Sequence, residues 1–137
     1  MRLLIWHVDA FAAEPTERGR SKVADAEPRA VRIEDGLVVF AACEKADESD
    51  VDAVAGRAAA AIAQVAQQLG AREVVLHSFA HLFVELSAPG IARDILNATQ
   101  AKLAADGYTV QQSAFGWFNR LELRAKGHPL SRVARQV

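Results

Sequence analysis

Glu73-Val74-Val75-Leu76-His77-Ser78-Phe79-Ala80-His81-Leu82-Phe83-Val84-Glu85-Leu86 is the stretch on which the fold turns. It opens as a short β-branched apolar run, which reads as a buried strand from Arg72 to Leu76. It then passes into a segment holding two of the four histidines, with small residues between them. Pro89 follows, a favoured first-turn residue of a helix. A strand that opens into a loop and then a helix is the repeating unit of α/β domains, and functional side chains sit at such strand ends.

Working outward, the residues before this strand read as a helix. Val54, Ala58, Ala61, Ile62, Val65 and Leu69 recur at helical spacing, with Ser49 or Asp50 as the cap and Gly70 as the left-handed stop. The Ala-rich face permits close packing on a sheet. After Pro89 a second helix carries Ile91, Ile95, Thr99 and Leu103 on one face and ends at Gly107. Tyr108 to Phe115 and Arg120 to Ala125 read as two closing strands, and the tail from Ser131 as short and polar. At the other end, Arg2 to Val8 reads as a central strand with His7 and Asp9 at its end. Residues 10–28 hold Pro15, Gly19, Pro28 and many charges, and are expected to be a mobile loop. Arg29 to Glu34 alternates, Asp35-Gly36 is a hairpin turn signal, and Leu37 to Cys43 is apolar, so 29–43 is expected to be a β-hairpin. The sum is an α/β fold: a single compact domain with a mixed β-sheet and two main helices. There is no internal repeat and no low-complexity linker.

Bulk properties narrow the function. A chain of 137 residues fits one domain over 1–137, and 51% hydrophobic residues can fill its core. A net charge of −1 argues against a general nucleic-acid coat, while leaving room for a protein that grips only the end of an RNA. One cysteine excludes an internal disulfide framework and fits a reducing cytoplasm. Leu3-Leu4-Ile5-Trp6 is too short for a secretory signal, and no apolar run would span a membrane.

Three chemistries can be weighed. His77 and His81 are four apart, but that spacing aligns two metal ligands only on a helix, and no HExxH or CxxC is present. No metal or other cofactor is expected. Cys43 ends an apolar strand, where cysteine is usually a small buried hydrophobe, and Ser78 lies near both histidines as a second nucleophile candidate. The third chemistry is hydrolysis at an RNA end. From Arg120 onward, Arg120, Arg124, Lys126, Arg132 and Arg135 face one acid, Glu122, and a basic patch could hold phosphates. Trp117 and Phe118 flank it, either as bases' stacking partners or simply as core.

The segments Phe79-Ala80-His81-Leu82…Glu85-Leu86, Asp94-Ile95-Leu96-Asn97 and Lys126-Gly127-His128-Pro129-Leu130, the start Met1-Arg2-Leu3-Leu4…His7…Asp9 and the pair Glu44-Lys45 together resemble the amino-terminal editing domain of archaeal-type threonyl-tRNA synthetases. The resemblance implies a D-aminoacyl-tRNA deacylase-like fold. It also implies hydrolysis of seryl-tRNA(Thr) without a cofactor, and a homodimer acting on the tRNA(Thr) 3′ end, with a synthetase catalytic subunit as partner. It places main-chain recognition around Cys43 and Ala80, and the terminal 2′-hydroxyl in catalysis. On this reading His81, Asn119 and Arg132 are the catalytic candidates. Cys43, Glu44, Ala80, Phe115, Gly116, Trp117 and Phe118 line the substrate site, and Arg120, Lys126 and His128 touch tRNA. His128 also has a structural reading, as part of a turn with Gly127 and Pro129.

Two positions depart from the family. A lysine stands there in place of Asn119, and an acidic residue in place of Arg132. One account has Arg132 restoring a cation beside Asn119. The alternatives are a D-aminoacyl-tRNA deacylase, or a non-catalytic paralogue that binds tRNA ends or a synthetase subunit.

Overall fold

A computed structural model of the chain describes residues 1–81 and 84–137. Leu82 and Phe83, part of the opening stretch, lie outside the described residues. The elements run β1 (Arg2–Arg18), β2 (Val31–Ala42), a 3-10 turn (Lys45–Ser49), α1 (Val51–Leu69), β3 (Glu73–Ser78), α2 (Pro89–Ala105), β4 (Thr109–Gln112), β5 (Trp117–Ala125) and β6 (Arg132–Gln136). The six strands form one sheet in the order β4-β3-β2-β1-β5, with β6 also paired to β1. β2, β3 and β4 are parallel, whereas β1 is antiparallel to β2, β5 and β6.

The two parallel connections both contain a helix. Right-handed crossovers stepping the same way along a sheet put their helices on one face. α1 and α2 accordingly share a core with Leu3, Ile5, Leu37, Val39, Val74 and Leu76. Alternate residues, among them Val8, Val38 and Val75, point the other way into a second cluster with Phe11, Val31 and Ile33. Local signals set the helix ends. The Asp50 carboxylate accepts the Ala53 N–H, and Gly70 takes φ 68° to close α1. Pro89 opens α2 without a side-chain cap at Ala88. No described helix is long and apolar enough to cross a membrane.

Two local expectations fail, each through tertiary pairing. Residues 10–28 are not one loop: β1 continues to Arg18, because β5 pairs with it from Val8 to Arg18. Pro15 is tolerated because β2 pairs no further than Ala13, leaving that edge of β1 free of ladder bonds. Residues 29–43 are not a hairpin. β2 runs through Asp35-Gly36 in constant register with β1, from Arg2 opposite Ala42 to Ala13 opposite Val31. Asp35 does take a left-handed φ of 54°, but as a kink within one strand. Gly36 is required for close packing, since a Cβ there would lie 2.7 Å from the Glu73 carbonyl and 2.9 Å from Ile33 Cδ1. The short polar tail adds a strand that the sequence reading did not include. β6 pairs Arg2 to Trp6 of β1, and Val137 N–H donates to the Met1 carbonyl.

The last point explains the Lys126-Gly127-His128-Pro129 motif. β5 and β6 run along the same edge of β1, and residues 126–131 leave that edge and return to it. Lys126 N–H donates to the His7 carbonyl, and His7 N–H donates to the Ser131 carbonyl, so the excursion closes on a single residue. Gly36→Ala is expected to destabilise the domain by roughly 1–3 kcal/mol through overpacking against backbone. Urea unfolding would show this as a lower midpoint at unchanged slope; an unchanged midpoint would mean that β3 can shift to make room.

Candidate active site

The parallel strands deliver their carboxyl ends to one place, and open α/β sheets form ligand crevices at such ends. A cavity of about 410 Å³ opens there. Its floor is Ala41, Ala42 and Cys43 at the end of β2 and His77 and Ser78 at the end of β3. Phe79, Ala80 and His81 continue from β3, and Pro89 and Ala92 of α2 close one side. The facing wall is Ala114 to Asn119, and Gly19, Arg20 and Ser21 complete the rim.

Backbone bonds fix this arrangement. Phe79 N–H donates to the Ala41 carbonyl at 2.8 Å, and Ser87 N–H to the Cys43 carbonyl at 3.0 Å, so the segment after β3 is tied over the end of β2. Gly116 adopts φ 76°, which only glycine takes without strain, and a Cβ there would strike Ala24 at 2.7 Å. Asn119 braces the same turn, its amide Nδ2 donating to the Trp117 carbonyl at 3.0 Å and the Ala114 carbonyl at 3.5 Å. Its Oδ1 is buried and accepts from no group among the described residues.

The chemistry available is limited. Cys43 is buried, and desolvation pushes its thiol pKa up to about 12, so it is a neutral thiol rather than a thiolate nucleophile. His77 is also buried, and desolvation brings its pKa down to about 4. Its Nδ1 pairs with Ser113 Oγ at 2.7 Å and its ring packs edge-on against Phe40, so it does not serve Ser78. His81 is exposed at the mouth, edge-on to Phe79 with ring centroids 5.5 Å apart. None of the described lining residues is an aspartate or glutamate, and one, Arg20, is a lysine or arginine.

Of the sequence candidates, Cys43, Ala80, His81, Phe115, Gly116, Trp117, Phe118 and Asn119 meet in this cavity. Others do not. Glu44 turns away and binds Arg2 Nε at 3.0 Å, with the Met1 ammonium 3.2 Å from its other oxygen. Arg132 is not beside Asn119. It pairs with Trp6 of β1 whereas Asn119 pairs with Pro15, nine positions away, on the order of 25–30 Å along a strand. There its guanidinium sits 5.3 Å from the centre of the Trp6 ring, next to a separate depression formed with His128 and Ser131. Within the chain it therefore does not supply the cation that Asn119 lacks. The basic patch is largely neutralised as well. Lys126 Nζ lies 2.8 Å from Asp9 and 2.9 Å from Asp35, Arg124 approaches Asp9, and Arg120 approaches Glu14. His128 meets His7, ring nitrogens 2.9 Å apart. Sequence reasoning missed the Gly19–Ser21 rim and treated His77 only as a metal candidate. The one usable signal was Gly19 itself, a glycine between two arginines, and the structure gives its reason: a Cβ there would lie 2.6 Å from the Gly116 carbonyl.

The archaea-specific editing domain of threonyl-tRNA synthetase matches residues 1–137, the whole chain. The chain belongs to that family. It is 40% identical over 139 residues to a threonine–tRNA ligase of Methanopyrus kandleri, 35% over 140 residues to that of Thermococcus gammatolerans and 37% over 140 residues to that of Methanoregula boonei. In each case the match covers 100% of the chain and 22% of the relative, so the editing domain spans about a fifth of those proteins. The fold is that of a probable eukaryotic D-amino acid tRNA deacylase, with TM-score 0.63 at 12% identity over 98% of both chains. A c-Myc DNA unwinding element binding protein shares it, with TM-score 0.65 at 10% identity over 100% of this chain and 99% of its own.

Burial of neutral His77 has a consequence for stability. A folded pKa of about 4 lies below the unfolded value of 6.5, so the contribution is whole above pH 6.5 and is lost as pH falls towards 4. The loss should approach about 3 kcal/mol by pH 4. His7, lowered chiefly by desolvation, adds a change of the same sign. His77→Gln should therefore unfold in urea with a visibly shallower dependence between pH 7 and pH 4.5. Equal slopes for the two proteins would place the acid sensitivity elsewhere.

Proposed function

We propose that this editing domain hydrolyses the ester of seryl-tRNA(Thr), with the charged 3′ end seated in the cavity at the carboxyl ends of β2 and β3. The observation that carries the reading is the lining itself. It joins small residues at Ala41–Cys43, Ala80, Ala114 and Gly116 to the aromatic rings of Phe79, Phe115, Trp117 and Phe118, without a carboxylate among the described residues and without an activated nucleophile. Such a site suits an ester that needs little activation, attacked by water that a neighbouring hydroxyl of the ribose or His81 helps to orient. Main-chain N–H groups would stabilise the tetrahedral oxyanion. Asn119 would act as a positioning residue, its Nδ2 holding the Trp117 and Ala114 carbonyls of the Gly116 turn.

The need for such a site follows from the substrates. Serine lacks one methyl of threonine, and a pocket separates such a pair by only about 1–3 kcal/mol. A second pocket whose wall fits serine and meets the extra methyl of threonine would clear the residue of errors. A second reading, removal of D-amino acids from tRNA, is suggested by the fold shared with a probable D-amino acid tRNA deacylase.

Seryl-tRNA(Thr), threonyl-tRNA(Thr) and a D-aminoacyl-tRNA tested side by side decide between these. Serine is expected to be released at least about 10-fold faster than threonine. Release of D-amino acids alone would move the reading to chiral proofreading, and binding without turnover would make the domain a non-catalytic tRNA-end binder. Asn119→Ala should lower kcat/KM on the order of 10- to 100-fold, since it loosens the Gly116 turn that positions the wall. Arg132→Ala should leave the rate within about twofold, as expected of a charge remote from the reacting atoms. A collapse of activity in Arg132→Ala would show that this residue reaches the site in the working protein.

A further inference from the structure

We propose that Arg20 is a phosphate-binding residue, taking the phosphodiester that links the terminal adenosine to the rest of the RNA. The inference deepens the reading above and rests on it for the identity of the RNA end. Arg20 lines the cavity, is exposed, and pairs with no acid among the described residues. It is also the one lysine or arginine among the described lining residues. Of the patch expected to serve this purpose, Arg120, Arg124, Lys126, Arg132 and Arg135, Lys126 is held between Asp9 and Asp35, Arg120 and Arg124 lie 3.6 and 3.9 Å from Glu14 and Asp9, Arg132 sits over Trp6, and none of the five lines this cavity.

What makes Arg20 more than a surface charge is the strap that carries it. Gly19 N–H donates to the Gly116 carbonyl at 2.8 Å. Ala24 N–H returns to the Ser21 carbonyl, closing a tight turn. The Asp25 carboxylate accepts the Phe115 N–H at 2.8 Å, Asp25 N–H donates to the Phe115 carbonyl at 3.0 Å, and Trp117 Nε1–H donates to the Asp25 carbonyl at 2.9 Å. From the other side, Arg93 on α2 donates to the Val23 carbonyl at 3.1 Å. Residues 19–25 are therefore fixed between the 115–117 turn and α2, and Arg20 projects from a backbone already in place. A guanidinium at the mouth of a cavity without lining carboxylates complements an anion, and its planar fork fits phosphate oxygens. In an aminoacylated RNA end, the anion nearest the ester is the 5′-phosphate of the terminal adenosine, one ribose away.

The test uses an uncharged acceptor-stem minihelix RNA ending in CCA as a binding probe, together with seryl-tRNA(Thr) and seryl-adenosine as substrates. Seryl-adenosine carries the same ester but no phosphate. Arg20→Ala is expected to weaken minihelix binding about tenfold and to reduce the slope of log affinity against log salt by about 1. On seryl-tRNA(Thr) the variant should raise KM by a similar factor with little change in kcat, and on seryl-adenosine this defect should disappear. Arg20→Lys should recover part of the binding, and Lys22→Ala, on the same strap but outside the lining, should behave as wild type. Unchanged minihelix affinity and salt slope in Arg20→Ala would overturn the proposal. So would an equal defect on both substrates, which would place Arg20 at the ester. If wild-type protein released serine from neither substrate, the editing reading would fall, while the minihelix titration would still decide the role of Arg20.

Discussion

Parallel pairing of β2 with β3 and of β3 with β4 is the constraint from which the rest follows. Parallel neighbours need crossovers, and the crossovers here run through α1 and α2, which share one core on one face of the sheet. Their apolar stripes need a sheet face to cover, so Leu37, Val39, Val74 and Leu76 are fully buried. The same pairing brings Cys43, Ser78 and Ala114 to one end of the sheet. The cavity is then a product of topology: chain leaving three parallel strands must diverge, and the divergence leaves a space. The N-terminus of α2 meets that space because the crossover returns from it.

The second organising feature is a cluster of irregularities on three strands. Asp9 is the point at which the β1–β5 register shifts, Asp35 takes a left-handed conformation in β2, and Lys126 begins the excursion between β5 and β6. Lys126 meets both carboxylates, which lowers the pKa of each acid and raises its own. A lysine held this way is part of the scaffold. The Lys126-Gly127-His128-Pro129 motif therefore has a structural account of its own: it lets one edge of β1 carry two strands, with His128 against His7 marking the gap.

Elements governed by local rules were legible in the sequence. The Asp50 cap, the Gly70 stop, the Pro89 start and the apolar stripes of both helices work within a few residues of chain, and both helices stand where those signals put them. Most of the candidate cavity's lining was legible too, although through family resemblance and not through motifs, because Ala80 and Gly116 offer no reactive side chain for a motif to be built on. The failures were non-local. Asp35-Gly36 signals a hairpin by turn chemistry, yet its glycine serves contact with Glu73, a residue of β3. Pro15 and the charges after it look like a loop, and only the partner strand β5 makes them a strand. Arg132 looked like a replacement cation because the resemblance puts an active-site acidic residue at its position, but the excursion after β5 carries it to the other end of β1.

A cavity walled by main chain also explains how the family lysine can be absent at Asn119 without dismantling the site. The Asn119 amide fixes the Trp117 and Ala114 carbonyls, which hold the Gly116 turn, which in turn receives Gly19 and faces Ala24. The turn's second partner is Asp25, whose carboxylate and backbone bind Phe115 while its carbonyl receives Trp117. Wall and strap thus fix each other, and both are set by short polar side chains that carry no net charge into the cavity. Positive charge then enters from the rim, on Arg20, and not from the floor. A charge at the rim steers and anchors an incoming polyanion, whereas a charge at the floor would act on the ester itself. Under the proposed function, that division leaves the discrimination between amino acids to the uncharged walls.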